Sequence, residues 1–187
     1  MDHHLDIELR PDPEFPAPQL MSALLAKLHR ALVRQGAGLI GISFPAVNAQ
    51  APHLGSRLRL HGSEAALHAL QASDWLSGMR DHVNSGPIAP IPAEVQHRVV
   101  RRVQAHSSPE RMRRRLMRRQ QLSAEQAEQR IPDSSAQLLR LPFAQLRSTS
   151  TGQSFRLFIE HGPLQPGAAA GEFSAYGLSQ TGTVPWF

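Results

Sequence analysis

A run of arginines is the strongest chemical signal in this sequence. The stretch RMRRRLMRR at residues 111–119 carries six arginines in nine residues. At 100° per residue, five of them fall within an arc of about 140° on one side of a helix: Arg111, Arg114, Arg115, Arg118 and Arg119. Like charges on one helical face repel each other unless phosphates relieve them. The run therefore indicates a polyanion-binding surface, with a solvated amphipathic helix as the alternative.

The positive charge is concentrated in the second half of the chain. Residues 1–94 carry 7 Lys and Arg against 9 Asp and Glu, a net −2, whereas residues 95–187 carry 13 against 6, a net +7. Lys27 is the only lysine among the 20 basic residues, so arginine is favoured throughout the chain. The evidence for a binding surface is therefore the clustering of the positive charges and not the use of arginine. A nucleic acid is the polyanion that best suits such a field.

A few side chains could transfer protons. His29 lies at the border of the apolar stripe of a predicted helix, and an imidazole changes charge near neutral pH. A histidine there is more often structural, and the serines of RSTST at 147–151 and the single tyrosine, Tyr176, carry little information by themselves. His3 and His4 are weak metal candidates because no H-x-x-H or carboxylate cluster accompanies them. Residue types alone leave the role of His29 open.

Composition predicts a soluble globular protein. The chain has 187 residues, of which 41% are hydrophobic and 19% charged, which is enough to build one good core or two small ones. Its first segment is rich in acids and prolines, unlike a signal peptide, and no stretch approaches the roughly 18–20 apolar residues of a membrane span. The absence of cysteine excludes disulfides and thiolate metal sites. We expect a cytoplasmic protein that does not associate with a membrane.

The first half of the chain alternates strand and helix patterns. Residues 4–10 alternate as a strand, and 19–36 follow helical spacing up to Gly36 as the C-cap, with these apolar positions: Leu20, Met21, Leu24, Leu25, Leu28 and Leu32. Two short strands over 38–45 and 56–62, a helix over 63–79 that starts on Ser63 and a strand over 94–104 come next. The prolines of NSGPIAPIP at 84–92 indicate a linker. The order βαββαβ predicts a ferredoxin-like (RRM-like) domain over residues 1–94.

The second half predicts an α+β domain over residues 95–187. Ser107 or Ser108 can cap an arginine-rich helix over about 108–121. SAEQAEQRI at 123–131 starts a second helix with a capping box. Residues 141–162 read as two antiparallel strands joined through Thr151 and Gly152, and 173–187 as two more turning near Gly182. The fold class is therefore α+β.

Several stretches together resemble one enzyme family. DHHLDIELRPDPEFP, KLHRALV, RRVQ, SSPERMRRRLMRRQ, LRSTSTGQSFRLFIEHGPL and the ending VPWF are similar to the type I-F CRISPR repeat-processing endoribonucleases of Csy type, and the resemblance spans essentially the whole chain. It implies a metal-independent enzyme without a cofactor that recognises the hairpin in each CRISPR repeat RNA. It also implies cleavage at the 3′ base of the stem, giving a 2′,3′-cyclic phosphate and a 5′-hydroxyl. It further implies that the enzyme stays bound to its product and joins the other subunits of the type I-F surveillance complex.

The resemblance also assigns roles to particular residues. It places a reactive histidine at His29, the serine that positions the attacking 2′-hydroxyl at Ser148 and a supporting tyrosine at Tyr176. It implies that Arg102 and Gln104 read bases.

Further RNA contacts follow from the same resemblance. Phe155 is expected to stack on the closing base pair of the stem, and Ser150 is a further RNA-binding candidate. Four arginines of the run at 111–119 are expected to line the major groove: Arg114, Arg115, Arg118 and Arg119. Arg111, which shares their face of the helix, is a further RNA-binding candidate. Gln120 departs from relatives that carry histidine there, so one contact near the active site or the RNA backbone is in doubt.

Two other functions compete with this one. A repeat-RNA-binding subunit of a CRISPR surveillance complex that has lost cleavage would keep the arginines but has no need for His29, Ser148 and Tyr176. A generic basic DNA-binding protein would explain the charge alone. A competition assay distinguishes this alternative from an RNA-hairpin enzyme, because duplex DNA of the repeat sequence would displace the RNA only from a DNA-binding protein.

Overall fold

The α+β class is confirmed by two antiparallel sheets with accompanying helices. The computed structural model describes residues 1–48, 50, 52–104, 109–132, 140–148 and 152–187. Contacts divide the chain into two compact units, Met1–Val103 with Leu141–Phe187, and Gln104–Arg140. Both four-stranded sheets belong to the first unit.

The first sheet has the predicted ferredoxin-like arrangement. Its elements are β1 (His3–Leu9), α1 (Ala17–Gln35), β2 (Gly41–Ser43), β3 (Arg57–Gly62), α2 (Glu64–Ala72) and β4 (Val83–Pro90). The strand order is β2-β3-β1-β4 with antiparallel neighbours throughout, which is the βαββαβ plait. A 3-10 helix at Arg80–His82 precedes β4.

Period-two and helical apolar patterns build the core of this sheet as predicted. Leu5, Ile7 and Leu9 of β1 are buried on one face, as are the apolar positions predicted for α1. Helix α1 ends at Gly36, whose φ of 96° fits the predicted C-cap. Helix α2 begins on Ser63, whose side chain accepts from the Ala66 N–H, but it stops at Ala72, short of the predicted end.

The predicted linker at 84–92 is wrong, because most of it forms β4. This strand lies at the edge of the sheet and pairs with β1 alone, so its prolines remove no ladder hydrogen bond on the open side. Pairing shifts between Leu5–Ile88 and Ile7–Ser85, which leaves Gly86 and Pro87 as a bulge. The strand predicted over 94–104 is present at Gln96–Val103, but it belongs to the second sheet, so β4 takes its expected place as the last strand of the plait.

The second sheet collects strands from both ends of the C-terminal half. Its strands are β5 (Gln96–Val103), β6 (Phe143–Arg147), β7 (Ser154–His161) and β8 (Thr183–Trp186), in the order β6-β7-β5-β8. The β6–β7 hairpin is confirmed, with Phe143 opposite Phe158 and Arg147 opposite Ser154. The prediction of two strands over 173–187 is wrong, since β8 is the strand there. Division into domains 1–94 and 95–187 stays a prediction.

The second unit contains the arginine-rich helix α3 (Pro109–Gln120) and the short helix α4 (Ala124–Arg130). The predicted capping box is present, because Ser123 and Gln126 exchange side-chain and backbone hydrogen bonds. Arg130 donates to Gln120 Oε1 at 2.6 Å, and Arg113 Nε donates to the carbonyl of Ile131 at 2.7 Å. These two bonds join α4 to α3. The proposed caps at 107 and 108 lie outside the described residues.

No helix in the described part of the chain is both long and apolar enough to cross a membrane.

Candidate active site

A small cleft in the first unit brings together the side chains that the sequence marked as reactive. Its volume is about 210 Å³, and its lining includes His29, Ser148, Tyr176 and Phe155. Two arginines, Arg30 and Arg147, and no carboxylate complete its polar lining among the residues described. The cleft is therefore positively charged and suited to a phosphate group.

Helix α1 reaches this cleft because it lies beside β6. Ser22 Oγ accepts from the backbone N–H of Gln145 at 3.0 Å. His29 lies seven residues, or two helical turns, beyond Ser22 on α1. Two turns advance the helix by about 10 Å, which brings His29 level with the end of β6 at Arg147. The contact thus joins the helix of the first sheet to a strand of the second.

Two contacts hold the His29 ring. It stacks face to face on the Tyr176 ring, with centroids 3.9 Å apart and planes inclined by 5°. His29 Nδ1 lies 2.9 Å from the carbonyl oxygen of Ala175. Because a carbonyl only accepts, Nδ1 must carry a hydrogen, and Nε2 is left as the nitrogen that can take up or release a proton. Nε2 has no hydrogen-bond partner among the described residues.

Tyr176 lies on a tight turn rather than on the strand predicted from the sequence. Gly177 N–H donates to the Ser174 carbonyl at 2.8 Å, closing the turn, and the Gly177 carbonyl accepts from Ile42 N–H of β2 at 2.9 Å. Gly177 has a φ of 70°, and a Cβ there would come within 2.7 Å of the Ile42 side chain. Glycine lets the turn sit directly against the sheet edge, which positions Tyr176 over His29.

Ser148 follows β6 and opens the turn towards β7. Its backbone N–H donates to the Gln153 carbonyl, and its carbonyl accepts from Gly152 N–H, both at 2.9 Å. Gly152 lies in the predicted connection and adopts a φ of 68°, in the left-handed region that glycine enters without strain. Arg147 Nε donates to the Gly152 carbonyl at 2.9 Å and stabilises the same turn. Ser148 therefore has a fixed backbone beside His29.

Two of the residues predicted to bind RNA, Phe155 and Arg102, lie near each other. Phe155, on β7, is half-buried, and the Arg102 guanidinium of β5 lies 5.8 Å from the centre of its ring. Gln180 Nε2 donates to the Arg102 carbonyl at 3.1 Å. Gln104 is exposed just beyond the end of β5, in the second unit. The roles of these residues in RNA binding stay predictions.

The arginine stripe is solvent-exposed on α3. The exposed members are Arg114, Arg115, Arg118 and Arg119. Arg113, which the helical wheel excluded from the stripe, is half-buried by its bond to Ile131. Ser150 and the side chain of Arg111 lie outside the described residues. Gln120, at which the sequence departs from the expected family pattern, accepts a hydrogen bond from Arg130 within the helix pair.

Sequence reasoning missed three contributions to the site. Arg30 and Arg147 were passed over, although each directly follows or precedes a predicted catalytic residue in the chain. The carbonyl of Ala175 could not be found, because a backbone acceptor leaves no signal in residue type. Within the described residues no group of three or more His, Asp or Glu side chains is arranged to hold a metal ion.

Comparison with known proteins places the chain in a family. Residues 4–187 match the family described as CRISPR-associated protein (Cas_Csy4). The chain is 59% identical over 187 residues to the CRISPR-associated endonuclease Cas6/Csy4 of Pseudomonas aeruginosa (strain UCBPP-PA14), covering all of both chains. It is 49% identical, again over the full length of both, to the protein of the same name from Escherichia coli (strain UTI89 / UPEC). The resemblance found in the sequence is confirmed, and the chain belongs to the Cas_Csy4 family of CRISPR-associated proteins.

Proposed function

We propose that this protein is a hairpin-specific endoribonuclease that cleaves CRISPR precursor RNA at the 3′ base of the repeat stem without a metal ion. The observation that carries the proposal is the orientation of His29 by Tyr176 and the Ala175 carbonyl, in a cationic cleft that Ser148 also lines. Such an arrangement suits proton transfer next to a phosphodiester. The names of the two relatives, both endonucleases, agree with it.

The reaction needs no nucleophile from the protein. The 2′-oxygen of the nucleotide before the cut attacks the adjacent phosphorus, a P–O2′ bond forms and the P–O5′ bond breaks. His29 Nε2 accepts the 2′-hydroxyl proton, and the resulting imidazolium can supply a proton to the departing 5′-oxygen. The products are a 2′,3′-cyclic phosphate and a 5′-hydroxyl, with no net change in protons.

The other side chains of the cleft position the attacking 2′-oxygen and stabilise the transition state. The Ser148 hydroxyl orients the attacking 2′-oxygen, which matters because in-line geometry is worth several orders of magnitude in rate. Arg30 and Arg147 face the charge that builds on the phosphoryl oxygens in the transition state. Stacking on Tyr176 holds the plane of the His29 ring during the reaction.

Recognition of the stem belongs to other residues. The exposed arginines of α3 neutralise stem phosphates, Arg102 and Gln104 read base edges, and Phe155 stacks on the terminal base pair. Tight retention of the cleaved hairpin would let the protein carry its RNA into a complex with other CRISPR subunits.

The deciding experiment characterises the ends of the RNA product. The repeat is identified by sequencing the RNA that copurifies with the protein. Wild-type protein is then incubated with uncleaved RNA of that repeat, extended past the cut, with and without EDTA, and the upstream fragment is tested for a 2′,3′-cyclic phosphate. We expect this end in both conditions, and a single 2′-deoxy substitution before the cut should abolish the reaction. Loss of cleavage in EDTA would contradict the metal-free mechanism, and tight hairpin binding without cleavage would favour a non-cleaving subunit.

A further inference from the structure

A second cationic groove lies next to the candidate active site. Three basic residues of α1, Lys27, Arg30 and Arg34, line a cleft of about 370 Å³ together with Asp74 and Trp75. Arg30 lines this groove and the catalytic cleft as well. The two clefts therefore meet at one guanidinium group.

The spacing of these residues aligns them along the helix. At 100° per residue, positions 27, 30 and 34 fall within an arc of about 60°, on a different side from the buried leucines of α1. They span about 10 Å along the helix axis. A chain of phosphates following the helix would meet one cation after another.

The groove has a positive charge that the protein does not neutralise. Arg30 and Arg34 are exposed, and neither has a carboxylate within ion-pair distance among the described residues. The acid in the groove, Asp74, is already paired with Arg80. Lys27 donates to the Ser77 carbonyl, a neutral partner that leaves its charge uncompensated. This cluster stands out because residues 1–94 are net negative.

Among the described residues, the rest of the groove lining adds no second acid. Besides Asp74 it consists of Ser73, Ser77 and Trp75, whose side chain is 4% exposed. The groove thus offers its cations to an anionic ligand.

We propose that this groove, Lys27–Arg30–Arg34, binds the phosphates of the single strand that runs 3′ of the cut. The inference rests on the proposed function, because it takes the scissile phosphate to lie in the cleft of His29. The stem lies upstream of that phosphate on the cleaved strand, so the downstream strand is the part free to leave the cleft past Arg30. The groove would hold this strand so that its 5′-oxygen leaves in line with the attacking 2′-oxygen. It would contribute nothing to the affinity for the cleaved hairpin, which lacks the downstream strand.

The test compares hairpins that differ only in their flanks. The repeat hairpin, made uncleavable by one 2′-deoxy nucleotide before the cut, is prepared with no 3′ flank and with a 3′ flank of about eight nucleotides, within the range that single-strand grooves hold. A third RNA carries the same flank on the 5′ side. Affinity is measured for each across about 50–200 mM salt.

We expect the 3′ flank to tighten binding by wild-type protein and to steepen the salt dependence. Arg34→Ala should reduce that extra slope by about 0.7, which corresponds to a 2- to 3-fold change across this salt range. Arg34→Lys should retain most of the effect, because the charge remains. Arg10→Ala is the matched control, since Arg10 is an exposed arginine of the same half that bonds Asn84 away from the groove.

The remaining outcomes distinguish a failure of the groove proposal from a failure of the proposed function. Tight binding of the flankless hairpin with no gain from a 3′ flank would overturn the groove and leave the proposed function intact. A gain that comes from the 5′ flank and depends on Arg34 would overturn the assignment to the leaving strand. No preference for the hairpin over a scrambled stem would overturn both proposals.

Discussion

His29 of α1 and Tyr176 of the turn before β8 stack with their ring centres 3.9 Å apart and their planes nearly parallel, although 147 positions separate them in the chain. The Ala175 carbonyl, one residue before Tyr176, is bonded to His29 Nδ1. One turn therefore fixes both the plane of the imidazole and the nitrogen that carries its hydrogen. A change in this turn should alter catalysis before it alters RNA binding.

Two substitutions of Tyr176 distinguish the contribution of its ring from that of its hydroxyl group. Tyr176→Phe keeps the stacking surface, so single-turnover cleavage should stay within a few-fold of wild type. Tyr176→Leu removes the stack, worth about 0.5–1.5 kcal/mol, and should slow cleavage up to about tenfold. Hairpin affinity serves as the control and should be the same for both variants. Equal losses in the two variants would instead assign a direct role to the phenolic hydroxyl.

His29→Ala should stop cleavage while hairpin affinity changes by no more than a few-fold. A positioned acid–base group contributes about 10²–10⁴ in rate, and His29 lines the reaction cleft rather than the arginine helix. Single-turnover cleavage and filter binding on the same RNA measure the two quantities. A large loss of affinity would show that His29 serves the fold or the stem, contrary to its proposed role.

The exposed arginines of α3 should act on all stem sequences alike. Arg115→Ala, Arg118→Ala or Arg119→Ala should each reduce the salt slope of binding by about 0.7–0.9 for each RNA phosphate that the helix no longer neutralises. Arg102→Ala should instead cost about 1–3 kcal/mol and relax the choice of one base pair. The measurement is affinity against a panel of stems with single base-pair changes. Similar relaxation by both kinds of variant would refute the division between phosphate binding and base reading.

Cleavage should stop after about one turnover per enzyme molecule. The proposed stem contacts are the same in substrate and product, so they give affinity without helping release. With limiting enzyme and excess hairpin RNA, the amount of product should plateau near the number of active sites. Steady multiple turnover at low salt would contradict retention of the product.

Acid should destabilise the fold through two histidines, the buried His61 and the half-buried His161. Burial lowers the pKa of His161 to about 4, with the positive charge of Arg98 adding to the effect, and burial lowers the pKa of His61 well below its usual range. The unfolded chain binds these protons near pH 6.5 while the folded chain does not, so stability is full above that pH and falls as pH drops towards 4. The loss from His161 should reach up to about 3 kcal/mol.

Urea unfolding at pH 7 and pH 4.5 measures this loss. His161→Gln should reduce the difference in unfolding free energy between the two pH values, whatever its effect at pH 7. His68→Gln, at an exposed position, is the matched control and should leave the difference unchanged. A difference as large in His161→Gln as in wild type would assign the acid sensitivity to other groups.

Local patterns determined much of this protein before any tertiary contact was known. The alternation in β1, the apolar stripe and Gly36 of α1, the capping box at Ser123 and the β6–β7 hairpin were all predicted correctly. Each of these signals lies within a few residues of the element that it specifies, so the sequence alone contains it. The family resemblance named the candidate reactive residues for the same reason, since it rests on short motifs.

The tertiary structure decided what these elements do together. The prolines of β4 are compatible with a strand because the strand lies at an edge, and edge position depends on partners elsewhere in the chain. The turn that carries Tyr176 is held by Ile42 of β2, and the Ala175 carbonyl reaches across to His29 of α1. Such contacts join residues that are far apart in sequence, and their geometry depends on how sheets and helices pack. The family resemblance could therefore mark His29, but only packing could fix its ring and place Arg30 where two cationic clefts meet.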